Sequence, residues 1–158
     1  EKIGQPYVTE RWIGGMLTNS QTITQQIKKL KNLEKRMGSG DLEKRYSKLE
    51  VQRFQEEIDV LNSRYGGIKD LMGKPGAVVV VDAAVDANAV REANVLGVPV
   101  FGVVDTNVNP TDVTYVVPGN DDAIKGLQLL LDYFAQAVAE GAGSVKKADE
   151  KPVKKEEK

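Results

Sequence analysis

The strongest constraint on the fold is an unbroken run of apolar, mostly β-branched residues from Ala77 to Val81, followed by Asp82. A run without polar alternation is typical of a strand that is buried on both faces of a parallel sheet. A second such run extends from Val98 to Asp105, and between the two runs Ala87 to Leu96 has the pattern of a helix that stops at Gly97. The chain is therefore expected to contain a βαβ unit with a right-handed crossover.

The flanking segments predict one more strand and one more helix. Residues 113–117 are expected to form a short third strand, and a helix is predicted from Ala123 to Glu140. Residues 6–8 predict an extended stub, which still leaves a thin parallel sheet with too few helices to cover both faces. We therefore expect one or more βα units ahead of Glu1 in the intact protein. Residues 143–158 are rich in Lys and Glu and are expected to be a disordered tail.

A helical periodicity covers residues 18–66. Apolar residues recur at helical spacing on both sides of the turn at residues 38–40, and in the second arm the spacings of three and four form a heptad seam. Thr18 and Gln21 have the form of a capping box, and Asp41 is the expected cap of the second arm. The pattern predicts an antiparallel helical hairpin inserted into an α/β domain. The seam residues of the second arm are Val51, Phe54, Ile58, Leu61 and Tyr65.

Charge is divided unevenly along the chain, although 22 basic and 23 acidic residues almost cancel. Residues 20–65 carry ten basic and seven acidic side chains, whereas residues 66–143 carry four and ten. Because binding of a polyanion depends on local patches, the near-zero net charge does not exclude nucleic-acid binding by the basic segment. Without His or Cys, the chain has no disulfide, thiolate zinc site or imidazole base. No apolar run approaches the roughly 18 residues that span a bilayer, so we expect no membrane contact. Residues 1–4 lack the apolar core of a signal peptide, so we expect an intracellular protein.

Two segments combine the residue types that contact RNA. In the segment from Arg11 to Asn19, Trp12 beside Arg11 and two glycines offers stacking, charge and close backbone approach. The alternative is a buried Trp12 that anchors the base of the hairpin. In the hairpin, cations concentrate near Gly38, where they suit phosphate contacts or, alternatively, form a solvated helical face. The predicted RNA-binding residues are Arg11, Trp12, Lys28, Lys29, Lys31, Lys35, Arg36, Lys44 and Arg45.

Acidic residues at the predicted sheet edge support a different function. Asp82 and Asp105 end adjacent strands, where α/β sheets bind ligands, and they could hold Mg²⁺ or simply cap turns. The turn at residues 118–122 could likewise bind an anion or cap the last helix. No phosphate-binding glycine loop follows any strand. We expect no enzyme, cofactor or metal, and keep a Mg-dependent nucleotide-binding module and a free coiled-coil adaptor as alternative functions.

Five segments, taken together and in order, resemble the bacterial small-subunit ribosomal protein S2 family. The resemblance covers residues 3 to about 141. One departure is the loop 83–85, where many members carry charged or His residues, so contacts that relatives make there are not carried over. The segments are Arg11 to Asn19, Tyr65 to Asp70, Pro75 to Pro99, Val103 to Pro110 and Pro118 to Ala123.

The resemblance implies a flavodoxin-like α/β domain with a coiled-coil hairpin insertion and a structural, non-catalytic role in translation. It further implies binding to small-subunit rRNA at the body–head junction, beside other small-subunit proteins, and help in recruiting the large mRNA-binding protein with OB-fold repeats. A cytoplasmic, ribosomal location of the bacterial or organellar type is implied as well. The expected organisation is the end of the first part of the α/β domain at 1–17, the hairpin at 18–66, the α/β domain at 67–142 and the tail at 143–158.

Overall fold

Helices occupy the first half of the chain and a small α/β unit the second, as described for residues 3–149 by a computed structural model. The first half contains α1 (Ser20–Gly38), α2 (Asp41–Arg45), α3 (Lys48–Tyr65) and a 3₁₀ turn at Gly66–Ile68. The second half contains β1 (Val78–Val80), α4 (Ala87–Val95), β2 (Val100–Val104), a 3₁₀ turn at Pro110–Asp112, β3 (Tyr115–Pro118) and α5 (Ile124–Asp149).

One apolar cluster holds α1 and α3 together. It includes Leu30, which is fully buried, and Leu33 from α1, with Ile58 and Leu61 from α3. Burial of one such side chain contributes roughly 1.5–3 kcal/mol. Leu42 of α2 is also fully buried. Helices therefore lie where the apolar periodicity of residues 18–66 predicts them.

The second arm is two helices and not the single helix predicted from Asp41. The extended backbone of Tyr46 (φ −127°, ψ 156°) ends α2, and Ser47 then caps α3. Ser47 N–H donates to the Glu50 carboxylate at 2.9 Å, and Glu50 N–H donates to Ser47 Oγ at 3.4 Å. The Tyr46 ring meets Phe54 edge to face, 5.1 Å between centroids. The break is thus stabilised by a reciprocal cap and an aromatic contact.

The start of α1 also differs from the prediction. No side-chain hydrogen bond caps the helix at Asn19, and α1 begins at Ser20. Thr18 does not form the expected capping box with Gln21; its backbone N–H and its hydroxyl both donate to Glu92, each at 3.1 Å. Thr18 is therefore bound by the distant residue Glu92 and not by its neighbour Gln21.

The Ser47→Ala variant tests the reciprocal cap. Loss of an N-cap hydroxyl costs about 1 kcal/mol, so we expect the urea midpoint of unfolding to fall accordingly. Ser63→Ala is the matched control, since Ser63 lies inside α3 and donates only to Val60 O. Equal midpoints for the two variants would show that α3 does not depend on this cap.

The strands form a parallel sheet in the order β1-β2-β3. Val79 pairs with Phe101, and Phe101 pairs with Tyr115. On one face α4 packs on the strands through a second apolar cluster, so the predicted α/β class and βαβ unit are confirmed. The buried members of this cluster are Val80, Ala83, Val90, Ala93, Val98, Val100, Val104 and Val113.

The opposite face of the sheet is only partly covered. Val79 and Tyr115 remain 42% and 54% exposed, although the rings of Phe101 and Tyr115 stack at 4.4 Å. α5 approaches this face where Gly119 leaves room beside Leu130. The thin, incompletely covered sheet that the sequence predicts is therefore present.

Several element ends differ from prediction, including the start of β2, which lies at Val100 and not at Val98. β3 begins two residues later than expected, and α5 continues past Glu140 to Asp149. Residues 6–8 do not join the sheet, because Tyr7 N–H instead donates to Gly67 O at 3.0 Å. Residues 150–158, where the rest of the predicted tail lies, are outside the described residues. Within residues 3–149, no helix combines the length and apolarity that crossing a membrane requires.

Candidate nucleic-acid interface

The segment from Arg11 to Asn19 forms a tight loop that leads into α1. Gly15 has φ +91°, a left-handed conformation that glycine adopts without strain. Met16 N–H donates to Ile13 O at 3.1 Å, and Asn19 N–H donates to Gly15 O at 2.8 Å. The two glycines of the motif thus serve a turn at this point of the chain.

A single carboxylate, that of Glu92 in α4, binds the interior of this loop. Oε1 accepts from Trp12 Nε1 at 3.1 Å and from Gly15 N at 2.7 Å. Oε2 accepts from Leu17 N at 3.0 Å and from the N–H and hydroxyl of Thr18, each at 3.1 Å. Five hydrogen bonds therefore converge on one side chain, and each is strengthened by the negative charge.

Glu92 lies on the apolar face of α4, beside Ala89 and Ala93, and is only 8% exposed. Burial by itself would raise its pKa, but the hydrogen bonds from the loop amides and from Trp12 outweigh burial and lower the pKa below its ordinary value of 4.5. The group is consequently a buried carboxylate anion at neutral pH. The signal for it in the sequence is an acidic residue among the apolar positions of a helix.

The two residues predicted to bind RNA in this loop have different environments. Trp12 is half-buried, packs against the cluster of α1 and α3, and uses its indole N–H on Glu92. Arg11 is exposed. Its guanidinium is therefore the group in this pair that faces solvent, and Trp12 also anchors the loop.

Four of the predicted RNA-binding cations are engaged with carboxylates. Lys29 pairs with Glu57, and Lys31 pairs with Asp70 at 3.0 Å. Asp41, expected to cap a helix, instead accepts from Arg36 Nε at 3.2 Å and from Arg45 Nε at 2.8 Å. The guanidinium of Arg36 also lies 5.8 Å from the centre of the Tyr46 ring. These cations must share or release a partner to bind phosphate.

Lys28, Lys35 and Lys44 have a simpler environment. All three are exposed, and none forms an ion pair within residues 3–149. Their ammonium groups are free to meet a phosphate without the loss of an intramolecular contact. Together with Arg11, they are the predicted cations that the structure leaves available.

The sheet edge that follows β1 and β2 is acidic. Asp82 accepts from the amides of Ala84 and Val85 at 2.8 and 2.9 Å, and Asp105 accepts from Thr106 N at 2.6 Å. The hydrogen bonds support the turn-capping alternative for both residues. The pKa of Asp121 is raised by partial burial and by neighbouring carboxylates. No group of three or more potential ligands that could hold a metal ion occurs in the described part of the chain.

Comparison with known proteins gives a consistent result. A family model described as Ribosomal protein S2 matches residues 1–141. Three curated proteins called small ribosomal subunit protein uS2 are each 49% identical over 140 residues. They come from Actinobacillus pleuropneumoniae serotype 5b (strain L20), serotype 3 (strain JL03) and serotype 7 (strain AP76). The match covers 89% of this chain and spans 58% of the length of each relative.

Proposed function

The chain belongs to the ribosomal protein S2 family, and on this basis we propose that it is a structural component of the small ribosomal subunit, acting in translation by binding rRNA. Its relatives carry the name of a small-subunit protein. The observation that supports RNA binding is the separation of charge between exposed, unpaired cations on the helical part and carboxylates on the sheet edge. A polyanion is attracted to the first surface and repelled by the second.

The finer features of the proposal come from the family resemblance. α1 and α3 form a coiled-coil hairpin, and the parallel sheet belongs to a flavodoxin-like domain that is larger in the full-length relatives. The protein lies at the body–head junction of a bacterial or organellar ribosome and helps to recruit the large mRNA-binding protein with OB-fold repeats. It is not an enzyme and works without a cofactor.

Neutralisation of backbone phosphates is the proposed mechanism of binding. A cation that contacts a phosphate releases a condensed counterion, and affinity then falls as salt rises. Lys28, Lys35 and Lys44 need not break an ion pair to do so, whereas Lys29 and Lys31 must share or release Glu57 and Asp70. The first three lysines are therefore expected to contribute more to affinity than the paired ones.

The variant Lys28→Gln/Lys35→Gln/Lys44→Gln tests this proposal through its binding to small subunits depleted of their S2 protein. We expect the affinity to fall about 10–100-fold at 0.1 M salt and the slope of log K against log salt to become shallower by about 2–3, since each phosphate contact contributes ~0.7–0.9 to the slope.

The matched control changes the charge equally on the α/β part, in Lys74→Gln/Arg91→Gln/Lys125→Gln. Its affinity and slope are expected to stay close to those of the unmodified chain. If both triple variants lost affinity equally, net charge and not the helical face would govern binding. No binding by the unmodified chain would refute the proposed function itself.

A further inference from the structure

We infer that Glu92 is a positioning residue for RNA binding: its carboxylate binds the donors inside the loop from Arg11 to Asn19 and so fixes where Arg11 and the start of α1 meet the RNA. This inference rests on the proposed function. It assigns to an acidic residue, which repels phosphate, a favourable effect on RNA affinity.

The donors around Glu92 form a site for an anion. Amides of Gly15, Leu17 and Thr18, with the indole of Trp12 and a hydroxyl, point at one place in the fold. Clustered N–H groups of this kind bind phosphate or carboxylate groups from solution in many proteins. In this chain an internal carboxylate occupies the site. RNA consequently meets the outer side chains of the loop and not its amides.

The loop lies between the two apolar clusters and depends on both. Met16 is buried in the cluster of α1 and α3, while the next residue, Leu17, packs against the cluster of the sheet and α4. Glu92 itself comes from α4, so its hydrogen bonds tie the helical part to the α/β part. Loss of those bonds is expected to release Arg11 and the first turn of α1 together.

The charge of Glu92 and its hydrogen bonds to the loop predict opposite effects of Glu92→Gln on RNA affinity. Removal of one negative charge, considered alone, should strengthen binding to RNA. Gln places an amide group, a donor, among groups that also donate, so the loop loses part of its support. We expect affinity for S2-depleted small subunits to fall about fivefold or more. Glu140→Gln, the same charge change on exposed α5, is expected to leave affinity unchanged or slightly higher.

A double-mutant cycle separates positioning from a general loss of structure. Arg11→Gln is expected to weaken binding in the unmodified chain and to have almost no further effect in the Glu92→Gln background. Lys35→Gln, a cation of α1 away from the loop, is expected to weaken binding by the same factor in both backgrounds. Coupling confined to Arg11 is a result that a merely destabilised protein would not give.

Trp12 reports the state of the loop independently of RNA, because it is the single tryptophan of the chain. Its emission is expected to shift to the red in Glu92→Gln, and the amides of Gly15, Leu17 and Thr18 should exchange hydrogen faster. If these signals change while the affinity stays equal to that of Glu140→Gln, the inference is wrong and the proposed function survives.

Two other outcomes are equally decisive. An unmodified chain that fails to bind depleted subunits refutes the proposed function, and the inference falls with it. If Glu92→Gln does not fold, Thr18→Val takes its place in the same cycle, since it removes one donor to Glu92 and leaves the charge intact. Thr18→Val with full affinity and no coupling to Arg11 would overturn the inference.

Discussion

Glu92→Ala is expected to lower the free energy of unfolding by about 3–5 kcal/mol, because several hydrogen-bond donors lose their charged acceptor at once. The substitution leaves the indole of Trp12, three loop amides and the Thr18 hydroxyl without their acceptor. A donor left unsatisfied where water cannot reach it costs roughly 1–3 kcal/mol, but the donors are only partly buried and Thr18 is exposed, so hydration offsets part of the sum. Urea unfolding at pH 7, followed by Trp12 emission and by circular dichroism, measures the loss.

Acid should lower the stability of the unmodified chain, because protonation removes the negative charge of Glu92 that the loop donors bind. The pKa of Glu92 is lower in the folded chain than its ordinary value of 4.5, so the folded state binds this proton less readily. Its contribution to stability is complete above pH 4.5 and decreases as the pH falls through the folded-state pKa. Glu92→Ala lacks this component, and its stability should fall less steeply over that range. The expectation is wrong if the two proteins lose stability in parallel as the pH falls and if Glu92→Ala lowers the free energy of unfolding by less than about 1 kcal/mol. The hydrogen bonds to Glu92 would then add nothing to stability.

Gly67→Ala is the second substitution with a large expected effect. A Cβ built on Gly67 would lie 2.2 Å from the backbone oxygen of Tyr7 and 2.8 Å from its Cδ2 atom. The backbone of Tyr7 cannot rotate away as the end of a side chain can. The hydrogen bond from Tyr7 N–H to Gly67 O also holds the Tyr7 segment against the turn that contains Gly67. Overpacking of this kind costs about 1–3 kcal/mol, or more where the contact must open. The midpoint of thermal unfolding is the measurement.

Gly66→Ala provides the matched control one residue away. Its added Cβ meets only the amide of Asn62, at 2.7 Å, and that exposed side chain can rotate away. Gly66 also has helical backbone angles, where alanine is favoured over glycine. We expect this variant to be close to the unmodified chain in stability. A Gly67→Ala protein as stable as Gly66→Ala would mean that the Tyr7 segment can move away from the 3₁₀ turn at Gly66–Ile68 without cost.

The α/β unit could be predicted because its signals are local. The run at residues 77–81 has no polar alternation, and α4 ends at Val95, two residues before Gly97, which has φ +63°. The break at Tyr46 was not predicted, although Ser47 and Glu50 have the spacing of a capping box. The predicted cap was Asp41, but its carboxylate forms ion pairs with Arg36 and Arg45.

The candidate interface was less predictable because its contacts join residues far apart in the chain. Lys29 and Lys31 look like free surface cations in the sequence, yet their acidic partners are 28 and 39 residues away. Trp12 could be read as a stacking residue or as an anchor, and its bond to Glu92 supports the anchor. No periodicity links two residues separated by 80 positions.

The distance along the chain between the loop and Glu92 also determines the order in which they are synthesised. The loop amides and Glu92 lie 74 to 77 residues apart, so the loop emerges from the ribosome long before its acceptor. At about 5–20 residues per second, the delay amounts to roughly 4–15 seconds. A nascent chain that has folded its helices still lacks a fixed loop until α4 is complete. If Glu92 positions the loop for RNA, as we infer, the loop acquires that position only after α4 has been synthesised.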